Sequence, residues 1–233
     1  MKRLLLTLHL YALTFIAANA QLTIWDDHKD ADFGLSIGYI SKDWQTDFGS
    51  GGTYKENLWG EEGKRFHGVQ VGFFYQPCFK WGLGLHTGLY YEAYISLSEK
   101  MSYDKFTEHS GYLPVHLSYR LPLGNETSIT LRGGLGFNVA FYGEFREFGY
   151  EDSDGNYYGP KDYLLNYGRD GWPKRFNTQA EMALTFRHKM LQVSATYSRG
   201  LTDHEFYRAD GNYKTYQNKF GISVGLAVDW DDL

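Results

Sequence analysis

The sequence predicts an all-β protein, an eight-stranded antiparallel up-and-down transmembrane β-barrel. Eight segments alternate apolar and polar side chains with the period of two that a β-strand imposes. Short and long connections alternate between these segments, as the turns and loops of membrane-spanning barrels do. The composition agrees, because 20 tyrosines, 16 phenylalanines, 6 tryptophans and 27 glycines with only 5 prolines favour strands over helices.

The alternating segments define the predicted strands. Their apolar positions run through residues 33–39, 69–75, 83–97, 113–121, 129–141, 176–186, 191–197 and 220–228. The positions between them hold mainly Gly, Ser, Thr, Asn and Gln, with a few charges of both signs. We expect each strand to be long enough to cross a bilayer at a tilt, which takes about 9–11 residues.

The connections predict the orientation of the barrel. Short links are expected at 76–81, 122–127 and 187–190, and long links at 41–65, 98–110, 143–174 and 200–215. Bacterial membrane barrels place short turns in the periplasm and long loops outside. With eight strands, both chain termini are therefore expected on the periplasmic side.

A soluble, lipocalin-like barrel is the alternative, because alternation alone does not say which face meets water. Its polar face would be rich in Lys and Glu, whereas small residues here suit the crowded lumen of an eight-stranded barrel. The apolar face ends in two sets of aromatic residues: Tyr39, Tyr91, Phe141, Phe176 and Tyr197 at one end, and Tyr75, Tyr119, Phe186 and Trp230 at the other. These sets match the interfacial girdles of membrane barrels, so the membrane barrel is favoured.

The N-terminus predicts export. Lys2 and Arg3 precede an apolar run over residues 4–16, and Ala18-Asn19-Ala20 supplies the small residues of a signal-peptidase site. A membrane anchor would need about 20 apolar residues, more than this run contains. We therefore expect a signal peptide at 1–20 cleaved after Ala20, a periplasmic tail at 21–32 and a barrel domain at 33–233.

Charge and cysteine content exclude two further classes. Removing Lys2 and Arg3 lowers the basic count from 23 to 21 against 28 acidic side chains, a net charge near −7. An acidic chain without a basic run argues against nucleic-acid binding. The single cysteine, Cys78, lies far from the cleavage site and makes neither a lipidated N-terminus nor an internal disulfide.

Three segments carry a family resemblance. They are Tyr-Leu-Pro-Val-His-Leu-Ser-Tyr-Arg-Leu at 112–121, Leu-Gln-Val-Ser-Ala-Thr-Tyr-Ser-Arg-Gly-Leu at 191–201 and Lys-Phe-Gly-Ile-Ser-Val-Gly-Leu at 219–226. They resemble the later strands of porin-family outer-membrane β-barrel domain proteins of Bacteroidetes-type bacteria, comparable in architecture to the small OmpA and OmpX barrels. The resemblance implies the Gram-negative outer membrane as location, with outer-membrane lipid or lipopolysaccharide and the barrel-assembly machinery as partners.

The chain departs from that family pattern at two places. Pro114 lies within a strand, where it removes a ladder hydrogen bond and predicts a bulge or another irregularity. The chain also ends Asp-Trp-Asp-Asp-Leu at 229–233 instead of in the terminal aromatic residue typical of assembly signals.

The polar faces predict a belt across the middle of the lumen. Counted from the periplasmic ends of their strands, Arg132 and Glu181 lie at similar heights on neighbouring strands, and we expect them to form an ion pair. Gln70, His86 and His116 reach similar heights. These five residues are the candidate interior polar cluster.

One motif in this belt could carry chemistry. His116 and Ser118 form a His-x-Ser pair on one face of a strand, as in an outer-membrane lipid A deacylase family. The pair faces the expected lumen beside Arg120, and no third carboxylate is placed by the sequence. A lumen hydrogen-bond network is the favoured interpretation, and no catalytic residue is predicted.

The acidic motifs predict turns and a tail instead of metal sites. Asp-Ser-Asp-Gly-Asn at 152–156 opens like a calcium loop, but Tyr157 and Tyr163 occupy the positions that need Gly and Glu. It and Asp-Gly-Asn at 210–212 are expected at the tips of hairpins. Asp26, Asp27, Asp30 and Asp32, around His28, are expected in a solvated tail. We expect neither a metal nor a cofactor.

The leading functional hypothesis is non-enzymatic: surface loops that mediate binding, adhesion or envelope integrity, with an extracellular or envelope protein as partner. Loop 143–174 holds the candidate recognition residues Tyr157, Tyr158, Tyr163 and Trp172. A hairpin whose aromatic side chains pack on each other is the alternative for this loop. The alternative functions are lipid A or phospholipid modification and a narrow passive pore, the latter disfavoured because eight strands leave a lumen just filled by side chains.

Overall fold

The computed structural model describes residues 31–47, 53–54, 65–79, 82–97, 103–124, 126–147, 149–151, 153–167, 174–203 and 214–229. The expected signal peptide, residues 21–30 of the expected tail, Trp172, the Asp-Gly-Asn motif at 210–212 and Trp230 lie outside the described residues.

Eight long strands form the barrel within the described residues. They are β1 (Ala31–Asp47), β2 (Phe66–Pro77), β3 (Leu83–Leu97), β4 (Tyr103–Pro122), β5 (Thr127–Glu147), β6 (Phe176–His188), β7 (Leu191–Gly200) and β8 (Lys214–Asp229). Each strand pairs antiparallel with the next one in the chain, and β8 pairs with β1 to close the sheet. The predicted all-β, eight-stranded up-and-down barrel is confirmed.

Short strands extend the barrel on the side of the long loops. Thr53–Tyr54 pairs with the end of β1, and Lys161–Leu164 pairs with the end of β5. Tyr150–Glu151 and Tyr157–Tyr158 form a separate two-stranded hairpin. Strand pairing thus continues beyond the barrel wall into the longest loop.

The apolar face of the wall points outward. Leu35 is 64 % exposed and Leu117 is 62 % exposed, whereas Glu92, Gln179 and Ser198 on the opposite face are fully buried. A continuous exposed apolar belt of this kind marks a surface that faces lipid. All described members of the two aromatic girdles lie on this outer face and are exposed. Among the described residues, no helix is long and apolar enough to cross a membrane.

The strands are longer on the loop side than the alternation predicted. The expected long link at 98–110 is wrong for most of its length, because β3 runs to Leu97 and β4 begins at Tyr103. The expected short turns are confirmed after Pro77, Pro122 and His188. Above the apolar belt, aromatic and charged side chains such as Trp44 and Lys42 point inward, so the simple apolar-out pattern ends while the strand continues.

Pro114 interrupts one ladder without shifting its register. Between β3 and β4, Thr87 pairs with Val115 and Tyr90 with Tyr112, and the positions between these pairs are not bridged. Proline has no N–H to donate at this point. The register shifts toward β5 lie instead between Tyr103 and Lys105 and between His109 and Ser110. The predicted irregularity is therefore present as a missing bridge, and the bulge lies elsewhere.

Candidate functional site

The middle of the lumen is built around one lysine shared by two carboxylates. Lys219 on β8 places its Nζ 2.9 Å from Glu92 Oε1 and 3.9 Å from Glu181 Oε1. The same Nζ lies 3.5 Å from the centre of the Tyr112 ring. All four side chains are buried. A buried cation is stable only when charges and hydrogen bonds compensate it, and here two carboxylates and an aromatic face do so.

Glu92 is bonded to a residue two strands away in the barrel wall. Its Oε2 accepts hydrogen bonds from Tyr94 Oη at 3.0 Å and from Asn138 Nδ2 at 2.9 Å. Asn138 lies on β5, two strands away from β3. The bond therefore ties non-adjacent strands together across the interior.

Glu181 is the most heavily bonded of the predicted cluster residues. Its Oε1 accepts from Ser198 Oγ at 2.5 Å, and its Oε2 accepts from Tyr112 Oη and from His116 Nε2, the latter at 2.9 Å. Both oxygens are thereby satisfied without water. The carboxylate is thereby compensated, whereas the buried Nδ1 of His116 has no hydrogen-bond partner among the described residues.

Arg132, His86 and Gln76 form a second chain below the carboxylates. Arg132 Nη1 lies 2.6 Å from His86 Nε2, and His86 Nδ1 lies 3.2 Å from Gln76 Oε1. Arg132 can only donate, so Nε2 accepts and His86 carries its proton on Nδ1, which donates to Gln76. The His86 ring stacks on His116 with the centres 5.8 Å apart.

The predicted Arg132–Glu181 ion pair is wrong. The register places Arg132 opposite Ala183 and Glu181 opposite Gly134. Gly136 leaves room against the wall: a Cβ there would lie 2.5 Å from Glu181 Oε1. The Glu181 carboxylate fills this room and lies away from Arg132, toward Lys219.

The structure brings together four of the five predicted cluster residues. His86, His116, Arg132 and Glu181 are buried and joined through the contacts above. Gln70 is half-buried beside a cavity of about 30 Å³, also lined by Gly38, Tyr112 and Lys219. Within the described residues Gln70 shares no hydrogen bond with the other four. A cavity of this size holds on the order of one water molecule.

The outer end of the lumen is closed by an apolar plug over a second buried ion pair. Lys42 pairs with Glu108, and its Nζ lies 3.9 Å from the centre of the Tyr94 ring. Above them lies a cluster of buried apolar side chains: Ile40, Trp44, Phe66, Tyr94, Phe106 and Leu165. We call this cluster the outer plug.

Part of the longest loop folds back into the outer plug. The Leu165 amide donates to Gly143 O at 2.9 Å, and Tyr167 Oη donates to Glu108 Oε2 at 2.9 Å. Burial, and next the Glu108 carboxylate, raise the pKa of Tyr167, so its phenol stays protonated and donates. Residues 161–167 therefore close the mouth of the barrel.

The candidate recognition residues divide between surface and plug. Tyr157 is 71 % exposed and Tyr158 is 49 % exposed on the hairpin, whose turn over residues 153–155 includes Gly155 at φ +81°. The predicted hairpin tip at 152–156 agrees with this turn. Tyr163 is not a free surface residue, because its ring packs against the outer plug.

The end of the barrel with the short turns holds a residue that the sequence placed in a solvated tail. Asp32 lies within β1, which begins at Ala31, and its side chain is 2 % exposed. Arg120 Nη2 donates to one carboxylate oxygen and Arg187 Nη1 to the other. The prediction of a solvated Asp32 is wrong, because two arginines that point into the lumen from β4 and β6 need a buried anion.

His116 and Ser118 lie inside the wall. Both side chains are buried, and His116 Nε2 is engaged with Glu181. Their lumen position agrees with the predicted hydrogen-bond network. Neither side chain is on the lipid-facing surface.

Sequence reasoning missed several interior residues. The sequence analysis assigned Lys42 and Glu108 to loops and placed Lys219 just before the eighth strand. Glu92 was placed on a polar face but not in the cluster. The alternation itself could have revealed them. If it is continued beyond the apolar belt, these charged residues fall at positions whose side chains point inward.

Replacing Tyr167 with phenylalanine removes one hydrogen bond of the mouth closure and keeps the ring. We expect residues 149–167 to be cleaved several-fold faster by protease, since a hydrogen bond to a charged group contributes about 1.5–3 kcal/mol. Tyr157→Phe, on the exposed hairpin, is the matched control. Equal cleavage rates for the two variants would show that Tyr167 does not hold the loop.

No protein-family model matches this chain, and no curated protein is significantly similar to it in sequence. Solved structures similar in fold include Ail of Yersinia pestis, in complex with the heparin analogue sucrose octasulfate, at 12% identity over 85% of this chain and 99% of Ail, TM-score 0.41. They also include the outer membrane enzyme PagL, at 9% identity over 84% of this chain and 99% of PagL, TM-score 0.46. OprG from Pseudomonas aeruginosa, an outer membrane protein, matches at 11% identity over 86% of this chain and 97% of OprG, TM-score 0.41. The likeness transfers no functional residue, and the fold rests on the strand pairing above.

Proposed function

We propose that this protein is a non-enzymatic outer-membrane barrel whose outer loops bind a protein partner. One observation carries the proposal. The lumen is closed by buried ion pairs and by the outer plug, while Tyr157 and Tyr158 project from a hairpin above the barrel. A rigid wall that presents exposed aromatic side chains on a loop is a common arrangement for binding.

The filled lumen argues against the passive pore. Within the described residues, Lys219, Glu92 and Glu181 span the middle of the lumen, and Lys42 and Glu108 span its outer part. A solute would have to break both groups of buried ion pairs in turn. Breaking a buried pair costs about 3–5 kcal/mol, too much for a static open channel.

The lipid-modifying alternative has no support from the His-x-Ser pair. A lipid substrate would approach from the outer face of the wall, and His116 and Ser118 lie on the inner face. We therefore assign these two residues a structural role in the lumen network.

The outer membrane is the proposed location. The exposed apolar belt between two aromatic girdles supports insertion in a bilayer. The N-terminal pattern of residues 1–20 supports export. Outer-membrane lipid and the barrel-assembly machinery are then the partners of insertion.

The charge of the hairpin favours a neutral or basic partner. Among the described residues of the hairpin, the charged side chains are Glu151 and Asp154, and both are exposed. Arg146 is already engaged in a two-point ion pair with Asp162, at 2.6 and 3.1 Å. The remaining acidic excess would repel a polyanion.

The test is adhesion of cells that display the barrel. Replacing Tyr157 and Tyr158 together with serine should lower attachment to immobilised extracellular-matrix and envelope proteins at least several-fold, since exposed tyrosines supply much of such contact energy. Leu164→Ser, on an exposed residue of the same loop, is the matched control. Ser153→Cys, in a Cys78→Ser background, should react with an impermeant maleimide on intact cells and report surface display. Unchanged attachment of the double variant, with display intact, would contradict the proposal.

A further inference from the structure

Two tyrosine–histidine pairs lie on the lipid-facing surface at the outer girdle. Tyr39 on β1 contacts His67 on β2, and Tyr91 on β3 contacts His109 on β4. Each contact joins the hydroxyl to Nδ1, at 2.5 Å in the second pair, and the rings stack with centres 5.9 and 5.8 Å apart. In both pairs the histidine lies two residues before the residue that faces the tyrosine, so the same geometry occurs twice.

The hydrogen bond fixes which nitrogen faces the membrane surface. We assign the tautomer in which the phenol donates to Nδ1, so that Nδ1 accepts and the imidazole proton lies on Nε2. Within the described residues, neither His67 nor His109 has a protein partner for Nε2. Each pair therefore presents an oriented N–H donor at the height where the lipid headgroups lie.

The carboxylates near the two pairs are already engaged. Asp43 lies 3.6 Å from Arg65, beside His67. Glu144 accepts from Tyr142 at 2.7 Å, and the Tyr142 ring lies 5.6 Å from the His109 ring. The surface thus offers two N–H donors, with Asp43 paired to Arg65 and the Glu144 carboxylate hydrogen-bonded to Tyr142.

We propose that the two Tyr–His pairs bind the phosphate groups of a phosphorylated glycolipid headgroup in the outer leaflet. Phosphate oxygens accept hydrogen bonds from N–H groups, and such charge-assisted bonds are about twice as strong as neutral ones. His67 and His109 are two strand spacings apart across the wall and two residues apart along the strands, roughly 12 Å in all. The outward side chains between them are Ala93 and Ile95. A headgroup with two phosphates reaches both donors. The proposal rests on the proposed orientation with the loops outside.

The test compares lipids that differ only in phosphate. The intact barrel is reconstituted in phosphatidylcholine vesicles that contain either diphosphorylated lipid A or its dephosphorylated form, and retained glycolipid is counted by native mass spectrometry. We expect roughly tenfold preference for the phosphorylated form. His67→Leu with His109→Leu removes both N–H donors and should abolish this preference and leave retention of the dephosphorylated lipid unchanged. His188→Leu, at a periplasmic turn, and Tyr197→Phe, a girdle tyrosine on β7, are the matched controls.

Three results would overturn the proposal. They are equal retention of the two lipids by the wild type, a preference that survives the double histidine variant, and a preference that a control variant also loses. Inorganic phosphate is added in detergent without lipid as a separate arm. Binding there that depends on His67 and His109 would assign the site to soluble phosphate instead. The adhesion test of the hairpin uses other residues, so the two proposals fail independently.

Discussion

Replacing Lys219 with methionine is expected to lower the free energy of unfolding of the barrel by about 3–5 kcal/mol. Methionine keeps most of the volume and removes the charge, so Glu92 and Glu181 lose the cation 2.9 and 3.9 Å away. Tyr112 also loses its contact with the ammonium group. The measurement is urea-induced unfolding of the barrel in phospholipid vesicles, monitored by tryptophan fluorescence.

Two further variants separate the buried charge from other effects. Lys214→Met changes an exposed lysine on the same strand and should shift stability by less than about 0.5 kcal/mol. Glu92→Gln added to Lys219→Met should recover a large part of the loss, because it removes one unpaired carboxylate. Equal losses for Lys219→Met and Lys214→Met would contradict the shared-lysine arrangement.

Replacing Asp32 with asparagine is the second large expected effect. The substitution keeps the shape of the side chain but leaves Arg120 and Arg187 without their shared carboxylate. We expect a loss of roughly 2–3 kcal/mol, less than for a fully buried pair, because the two arginine side chains are 16 and 14 % exposed and partly screened by water. The same unfolding measurement applies, and hydrogen exchange at the first residues of β1 should increase.

The control for Asp32 is an ion pair at the same end of the barrel. Glu126 lies 3.4 Å from Lys189, and both side chains are more than half exposed. Glu126→Gln should cost about 0–1 kcal/mol, as exposed pairs do. If Asp32→Asn costs no more than this control, Asp32 does not anchor β1 to β4 and β6.

The membrane-spanning part of the fold could be predicted because lipid imposes a simple rule on it. Between the girdles every outward side chain is apolar or small, and every strand must be paired. The alternation therefore identifies the strands and distinguishes inward-facing from outward-facing residues. Above the girdles that rule ends. Lys42 and Glu108 belong to strands that continue into water, where either face can be polar, and they were assigned to loops.

The sequence predicted which residues belong to the candidate site, but not which of them contact each other. His116, Arg132 and Glu181 could be placed in the lumen from parity alone. Their contacts depend on the stagger between strands and on where glycines leave room, as Gly136 does for Glu181. A sequence shows neither the stagger of the strands nor the space beside a glycine. The expected Arg132–Glu181 pair was wrong for this reason.

The sequence by itself determined the all-β class, the number of membrane strands and which face meets lipid, because those follow from a period of two and from side-chain polarity. Only the tertiary structure decided that Lys219 joins Glu92 to Glu181, that Asp32 holds two arginines and that residues 161–167 close the mouth. Each of these joins residues from different strands across the lumen. The physical reason is that closure and stagger of the sheet set those distances, and local sequence encodes neither.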